Sequence, residues 1–158
     1  EDTLSLQAVD VIALTRQQLA ESGHAWIAKH QSLNFEAPDK LLLNFKPEWL
    51  SIVVRNLVDN ASRYSPEGAQ LQVTWQDGPE PMLTVEDSGP GMSASDRVRL
   101  GDRFFRVLGT EATGSGLGWS IVRRIAQLNR IKVQLDTSPN FGGLQVVMIW
   151  PKDRKVVS

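Results

Sequence analysis

The spacing of apolar residues along the chain predicts three amphipathic helices. In the first, apolar residues recur at helical spacing over residues 9–20, and Gly23 is the predicted end of the helix. The second follows Pro47, a residue suited to a first helical turn, and its apolar side chains repeat on one face over residues 50–61. The third covers residues 117–128. The second pattern is the most regular of the three.

Elsewhere, apolar and polar residues alternate, which predicts β-strands. The alternating segments are residues 4–6, 32–36, 41–45, 70–76, 82–85, 133–135 and 144–150. The second and third of these segments are expected to form a hairpin or two neighbouring strands, because only a short connection separates them. The fourth and fifth are expected to pair across the turn Asp77-Gly78-Pro79.

This order of elements predicts an α/β fold: a two-layer sandwich with a mixed, mostly antiparallel sheet covered on one face by about three helices. Hairpins replace the alternating βαβ units of a doubly wound fold, which is therefore not expected. Residues 107–115 are rich in Gly and Thr and are predicted to form a mobile loop, and residues 152–158 to form a charged tail. A single domain is expected over residues 1–151.

Composition narrows the class of protein. The chain has 158 residues, enough for one domain with a proper core, and a formal net charge of −1, which argues against a nucleic-acid binder. It has no cysteine, so disulfides, thiolate metal sites and cysteine nucleophiles are excluded. No apolar run is long enough to cross a bilayer, and the first residue is Glu1. A piece of a longer protein, without direct membrane contact of its own, is expected.

Asp87 is the first candidate for ligand binding. An apolar strand leads to Asp87, and the turn Ser88-Gly89-Pro90-Gly91 follows, through which the backbone can closely approach a flat ligand. The Asp87 carboxylate can accept a hydrogen bond from an exocyclic amine such as that of adenine. The alternative is an ordinary turn after an edge strand, because all of these are common turn residues.

The second predicted helix carries a polar side in addition to its apolar face. Asn56, Asn60 and Arg63 lie at i, i+4 and i+7 and share one side of the helix, and Tyr64 follows at its end. Two amide oxygens one turn apart can reach a Mg²⁺ that is otherwise bound by phosphates and water, and Arg63 can donate to a phosphate. The alternative is a solvated polar stripe.

A glycine-rich segment, Gly114-Ser115-Gly116-Leu117-Gly118, leads directly into the third predicted helix. Such a turn leaves backbone N–H groups free to bind phosphate oxygens. It matches neither a P-loop nor the dinucleotide fingerprint, and a flexible hinge is the alternative. Before it, Arg103 and Arg106 flank two phenylalanines. The alternative to a binding role for these arginines is that they lie in solvent beside a buried ring.

Taken in order, these motifs resemble the N, G1, F and G2 boxes of bacterial sensor histidine kinases. The matching segments are Asn-Leu-Val-Asp-Asn-Ala-Ser-Arg-Tyr-Ser, Asp-Ser-Gly-Pro-Gly, Arg-Phe-Phe-Arg and Gly-Ser-Gly-Leu-Gly. Their details are most similar to the branch that contains enteric quorum-sensing and polymyxin-resistance sensors. The resemblance covers nearly the whole chain and implies the Bergerat ATP-binding fold, an α/β sandwich of the kind predicted above.

The resemblance implies a catalytic domain that binds ATP and Mg²⁺. The resemblance implies that Asp87 binds the adenine amine and that Gly89 and Gly91 shape the pocket. Mg²⁺ is expected on Asn56 and Asn60, directly or through water, against the phosphates of the nucleotide.

At the phosphate end, the resemblance implies rim contacts from Arg63 and Tyr64. Arg106 is expected to contact the γ-phosphate, so Asn60 and Arg106 are the predicted catalytic residues. The residues expected to wrap the phosphates are Ser115, Gly116, Leu117 and Gly118. The predicted loop over residues 107–115 corresponds to the ATP lid of the family.

Two positions bear on whether the chain is active. Trp119 stands where the family usually has leucine, and it is expected either to fill the core or to narrow the pocket and restrain the lid. The second outcome keeps open the alternative of a degenerate, regulatory nucleotide-binding module. Relatives that hydrolyse ATP, and serine-phosphorylating anti-sigma kinases, carry Glu at the position of Asn56. Because an amide is no general base, phosphoryl transfer to an external acceptor is expected rather than hydrolysis.

No phosphoacceptor is evident in the chain. Family members carry a His followed by an acid on a dimerising helix, whereas His24 precedes Ala25 and His30 precedes Gln31, both in predicted loops. The resemblance therefore implies partners that this chain does not contain: its own dimerisation and histidine-phosphotransfer domain, and a response regulator. It further implies a monomeric isolated domain, a homodimeric parent with a sensor domain, and a cytoplasmic position in an inner-membrane protein.

Overall fold

The structure, a computed structural model, describes residues 5–89 and 117–156. Within them, the three predicted helices are present as α1 (Val11–Ile27), α2 (Pro47–Arg63) and α3 (Leu117–Leu128). The strands are β1 (Gln7–Asp10), β2 (Ser32–Glu36), β3 (Leu42–Phe45), β4 (Gln70–Gln76), β5 (Met82–Asp87), β6 (Lys132–Thr137) and β7 (Leu144–Ile149). None of the described helices combines the length and the apolar character needed to span a bilayer.

Five strands form the main sheet, in the order β2-β4-β5-β7-β6. β2 pairs with β4 in parallel, and the remaining three pairs are antiparallel. This confirms the predicted mixed, mostly antiparallel sheet, the hairpin of β4 with β5, and the two closing strands. The opening strand lies at Gln7–Asp10 rather than at the predicted residues 4–6.

The predicted pairing of β2 with β3 is wrong. β3 lies antiparallel to β1 in a separate two-stranded sheet, with Val9 opposite Leu43. Alternation identifies the two faces of a strand but not the strand with which it pairs. The partner of β2 is β4, which comes after α2, and a parallel pair of this kind needs a long crossover rather than a tight turn.

The core lies between the main sheet and the apolar side of α2. Leu71, Val73 and Trp75 of β4 are each no more than 2% exposed, and Leu50 of α2 is fully buried in the same cluster. Full burial of a side chain of this size contributes about 1.5–3 kcal/mol. The Trp75 Nε1–H also donates to the Thr15 Oγ1 of α1 at 2.9 Å. This packing sets α2 against the sheet and leaves its asparagine-bearing side half-buried.

α1 differs from its predicted bounds. It begins at Val11, after an N-cap at Asp10 whose carboxylate accepts two backbone N–H groups of the first turn. It continues through Gly23, the predicted end, to Ile27, so His24 lies in the helix rather than in a loop. A single glycine costs a helix only about 1 kcal/mol, which the burial of neighbouring apolar side chains outweighs.

Residues 152–156, predicted to belong to a charged tail, instead pack on the domain. Arg154 is 6% exposed and donates to the Asn129 Oδ1 at 2.6 Å. The Lys155 Nζ lies 2.6 Å from the Asp77 Oδ1, and the backbone of this segment bridges to β3. Charge alone predicts a solvated tail, but here the charged groups find specific partners on the folded domain.

Candidate functional site

Asp87 ends β5 with its carboxylate held in one position. Its Oδ1 accepts the Gly89 N–H at 2.9 Å and the N–H of Leu144, at the start of β7, at 3.2 Å. Only 5% of the residue is exposed. Both of these backbone hydrogen bonds go to Oδ1, and neither uses Oδ2.

Two glycines allow the backbone to close around this carboxylate. A Cβ on Gly143 would overlap the Asp87 carbonyl and Oδ1 and would lie 2.7 Å from the Gly89 N. A Cβ on Gly89 would lie 2.8 Å from the Ser65 Oγ and 3.1 Å from the Asp87 Oδ1. Backbone without a side chain is therefore required on both sides of Asp87.

Sequence reasoning missed Ser65, Gly143 and Leu144 as neighbours of Asp87. Leu144 is 57 positions from Asp87 in the chain. One signal was available, because a Gly-Gly pair directly before a strand often marks a close approach of backbones. Ser65 ends the segment that resembles the N box, but nothing in the sequence indicates that it contacts Asp87, since a serine after a helix is also an ordinary turn residue.

The two asparagines of α2 are both half-buried, on neighbouring turns. The Asn56 Nδ2 donates to the Ile52 carbonyl, one turn earlier, at 2.7 Å. That bond occupies the amide nitrogen, and the Oδ1 of Asn56 faces Gly118 at the start of α3. No described residue forms a hydrogen bond with the side chain of Asn60. Asn56 and Asn60 thus present two amide groups on the same side of α2.

The start of α3 lies directly against Asn56. A Cβ on Gly118 would overlap the Asn56 Oδ1 and lie 3.1 Å from its Cγ. The end of the glycine-rich segment therefore contacts the asparagine-bearing helix. The approach of Gly118 to Asn56 lies near the middle of α2, and the approach of Gly89 to Ser65 lies just past its C-terminal end. From a helical rise of about 1.5 Å per residue they are on the order of 10 Å apart, the scale of an extended nucleoside triphosphate.

Tyr64 and Arg63, at the end of α2, have different surroundings. Tyr64 is the half-buried C-cap residue, and its N–H donates to the Asn60 carbonyl at 3.1 Å. Arg63 is exposed and lines a separate groove of about 610 Å³ between α1 and α2. In that groove, burial raises the pKa of the Asp59 carboxyl and the charge of Arg63 partly lowers it. The phosphate contact predicted for Arg63 stays a prediction.

Several predicted site residues lie outside the described part of the chain. They are Gly91, Arg106, Ser115 and Gly116, together with Arg103 and the whole of the predicted lid, residues 107–115. Leu117 begins α3, but its side chain is not described. The roles assigned to all of these residues stay predictions.

Burial raises the pKa of the Asp87 carboxyl above its ordinary value. The N–H groups of Gly89 and Leu144, together with the nearby Ser65 hydroxyl, favour the charged form and limit this rise. The carboxylate is the better acceptor for an amine. A base bound at Asp87 is therefore held less firmly as the pH falls through the raised pKa.

Trp119 lies in the first turn of α3 and belongs to the core. It is 4% exposed and is part of the same buried cluster as Leu57 and Val122. This favours the first of the two expectations for the residue, in which the indole fills the core in place of a smaller side chain.

Replacing Gly118 by alanine is expected to weaken the binding of a magnesium nucleotide about tenfold while the domain stays folded. The added Cβ displaces the Asn56 amide and breaks its bond to Ile52, at a cost in stability on the order of 1 kcal/mol. Calorimetry with Mg-ADP measures the affinity. Gly78→Ala is the matched control, because nothing lies within 4 Å of a Cβ there. Equal affinities of the two variants would contradict the assignment of Asn56 and Gly118 to one site.

The model of one protein family matches residues 45–154 of the chain. That family is described as histidine kinase-, DNA gyrase B-, and HSP90-like ATPase. The match includes α2 and its asparagines, the end of β5, α3, and the C-terminal segment that packs on the domain.

Several sensor proteins are similar in sequence. The chain is 45% identical over 105 residues to the sensor protein QseC of Salmonella typhimurium, covering 66% of the chain and 22% of that protein. It is 37% identical over 106 residues to the sensor protein kinase PmrB of Pseudomonas aeruginosa, covering 66% and 22%. For the swarming motility regulation sensor protein RssA of Serratia marcescens, the identity is 33% over 135 residues, covering 84% and 28%. The chain thus spans less than a third of the length of these curated relatives.

Solved structures share the fold. The mycobacterial sensor histidine kinase MprB superposes with a TM-score of 0.81 at 23% identity, covering 92% of this chain and 97% of that one. The cytoplasmic segment of histidine kinase QseC gives 0.68 at 24% identity, covering 94% and 80%. These superpositions confirm the predicted α/β sandwich.

Proposed function

Since this chain belongs to the family of histidine kinase-, DNA gyrase B- and HSP90-like ATPases, we propose that it is the Mg-ATP-binding catalytic domain of a sensor histidine kinase. It transfers the γ-phosphate of ATP to a histidine on a separate dimerisation domain, for relay to an aspartate of a response regulator. The observation that carries the proposal is the Asp87 carboxylate, which is held by two backbone N–H groups. Neither of these bonds uses Oδ2, which is the oxygen that accepts the adenine amine in this proposal.

The remaining residues of the base and metal ends fit this role. Gly89 and Gly91 shape the space beside the base, and the first of them already leaves no room for a side chain. Asn56 and Asn60 offer neutral amide oxygens, which suit a Mg²⁺ whose charge is balanced by the phosphates of the nucleotide. When bound, Mg²⁺ would neutralise charge that develops on the phosphates during transfer.

At the phosphate end, Tyr64 and Arg63 form the rim, and Arg106 contacts the γ-phosphate. The segment Ser115-Gly116-Leu117-Gly118 wraps the phosphates with its backbone, as helix N-termini do in other phosphate sites. Because phosphoryl transfer depends mostly on positioning and charge neutralisation, Asn60 and Arg106 are the residues whose loss should reduce transfer most.

Asn56 supports a kinase rather than a hydrolase. An amide cannot take a proton from water at neutral pH, and the nitrogen of this one is committed to the Ile52 carbonyl at 2.7 Å. The position that would hold the general base of a hydrolase therefore holds a group that positions a ligand.

The histidines of the chain support transfer to another polypeptide. His24 lies on the exposed side of α1 and is followed by Ala25. The exposed His30 Nδ1 lies 2.7 Å from the Glu67 Oε2. Neither has the following acid of a phosphoacceptor. The acceptor therefore belongs to the parent's dimerisation domain, in a homodimeric sensor whose catalytic domains are cytoplasmic and, in isolation, monomeric.

The purified chain is expected to bind Mg-ATP and Mg-ADP without labelling itself. Mixed with the detached dimerisation helices of its parent and γ-labelled ATP, it is expected to label a histidine on those helices, slowly. A His24→Gln, His30→Gln variant should transfer as well as the wild type. Failure to bind either nucleotide would reject the proposal in favour of a degenerate regulatory module. Label on a histidine of this chain alone would contradict transfer between polypeptides.

A further inference from the structure

Ser65 carries a buried hydroxyl beside Asp87. The residue is 3% exposed, and its Oγ has no hydrogen-bond partner among the described residues. Most buried hydroxyls in folded proteins are paired, because an unmade hydrogen bond in the interior is costly. The unpaired hydroxyl of Ser65 is therefore suited to a partner that is not part of the folded chain.

The hydroxyl lies in the wall that Asp87 and Gly89 form. A Cβ at Gly89 would lie 2.8 Å from the Ser65 Oγ and 3.1 Å from the Asp87 Oδ1, so the two oxygens flank the same small space. The hydroxyl lies near enough to the Asp87 carboxyl to favour its charged form and lower its pKa. Its Oγ nevertheless has no partner within hydrogen-bonding geometry in the described part of the chain. The Oδ1 already accepts the N–H groups of Gly89 and Leu144.

Two side chains between α1 and β2 hold the backbone of Ser65 in place. The Lys29 Nζ donates to the Ser65 carbonyl at 2.7 Å and to the Ser62 carbonyl at 2.8 Å. The Gln31 Nε2 donates to the same two carbonyls at 3.2 and 3.1 Å. These bonds satisfy carbonyls at the end of α2, which a helix terminus leaves without internal partners. The hydroxyl is thus presented from a backbone that is anchored on its other side.

We propose that Ser65 is a second base-reading residue, whose hydroxyl donates to ring N1 of adenine, directly or through one water, beside the amine that Asp87 accepts. The inference rests on the proposed function and refines its base specificity. Adenine presents a donor and an acceptor side by side on this edge, and Asp87 and Ser65 supply the complementary acceptor and donor. Guanine has an oxygen in place of the amine, which faces the Asp87 carboxylate unfavourably.

The test combines one substitution with one change of ligand. The wild type and Ser65→Ala are titrated calorimetrically with Mg-ADP and with Mg-1-deaza-ADP, in which a C–H replaces N1. Ser65→Ala is expected to weaken Mg-ADP binding about tenfold and to leave Mg-1-deaza-ADP binding unchanged, because that ligand cannot accept the hydroxyl proton. Thermal unfolding without ligand should be unchanged or shifted upward, since the hydroxyl bonds to no described residue.

Ser22→Ala is the matched control. Ser22 is also a buried serine, but its Oγ accepts the Gln18 Nε2–H at 2.9 Å within α1, so both affinities should stay at the wild-type value. The role of Ser65 would be overturned if Ser65→Ala lost the same factor of affinity for both ligands, or if its affinity for Mg-ADP did not fall. The role would also be overturned if Ser65→Ala unfolded at a lower temperature and its loss of affinity did not depend on N1 of the ligand. The hydroxyl would then be a structural group. A wild type that binds no Mg-ADP would reject the proposed function itself.

Discussion

An Asp87→Asn variant is expected to lose at least about a hundredfold in affinity for Mg-ADP and Mg-ATP. The amide has the size of the carboxylate, and its oxygen can still accept the N–H groups of Gly89 and Leu144. Its NH₂ group then takes the place of Oδ2 and faces the adenine amine, donor against donor. The variant loses a charge-assisted hydrogen bond and gains this mismatch, which together cost about 3 kcal/mol of binding free energy. That cost raises the dissociation constant more than about a hundredfold.

Asp39→Asn is the matched control for this variant, because Asp39 is an exposed carboxyl in the connection between β2 and β3. It should bind like the wild type. Asp87→Asn should unfold at the same temperature as the wild type or higher, since burial disfavours the charged form of Asp87. Calorimetry gives the affinities, and thermal unfolding separates loss of binding from loss of the fold. Unchanged affinity in a folded Asp87→Asn would show that the base binds elsewhere.

An Asn60→Ala variant is expected to lower the rate of phosphoryl transfer by a factor of about 100 or more, in the range seen when one positioned polar group is removed from a transfer site. The half-buried amide has no described hydrogen-bond partner to lose, so the fold should be unaffected. Binding of ADP without Mg²⁺ should also stay the same, because the base end is intact. The rate is measured with the parent's dimerisation helices as acceptor.

Asn44→Ala is the matched control for Asn60. Asn44 is a half-buried asparagine on β3, and its contact with Arg154 involves the backbone carbonyl rather than the side chain. Transfer by Asn44→Ala should equal that of the wild type. A transfer rate in Asn60→Ala within tenfold of the wild type would remove Asn60 from the catalytic residues.

The elements that could be predicted from the sequence are those that local contacts decide. α2 follows from a long amphipathic repeat after Pro47, and the β4–β5 hairpin follows from two alternating segments around a turn. The partner of β2 could not be predicted in this way, because its parallel pairing with β4 forms only after the chain has passed through β3 and α2. The docking of Arg154 escaped prediction for the same reason: its partner, Asn129, belongs to a different part of the fold.

The candidate site shows the same difference between local and long-range contacts. Asp87 and the asparagines of α2 were predictable because each stands in a recognisable motif. The contacts of Gly143 and Ser65 with Asp87 were not predictable, although Ser65 ends the segment that resembles the N box, because these contacts depend on the packing of separate elements. The meeting of Gly118 with Asn56 likewise depends on how α3 packs against α2, which no periodicity within either helix specifies.

The hydrogen bonds around the base pocket join distant positions of the chain. Lys29 and Ser65 are 36 positions apart, and Asp87 and Leu144 are 57 apart. Each bond forms only after its own loop has closed, and the pocket needs both, so it has no local precursor during folding. A chain in which only α2 and the β4–β5 hairpin have formed still lacks it. Nucleotide therefore binds the fully folded chain and not its partly folded forms, and by mass action it shifts the population towards complete folding.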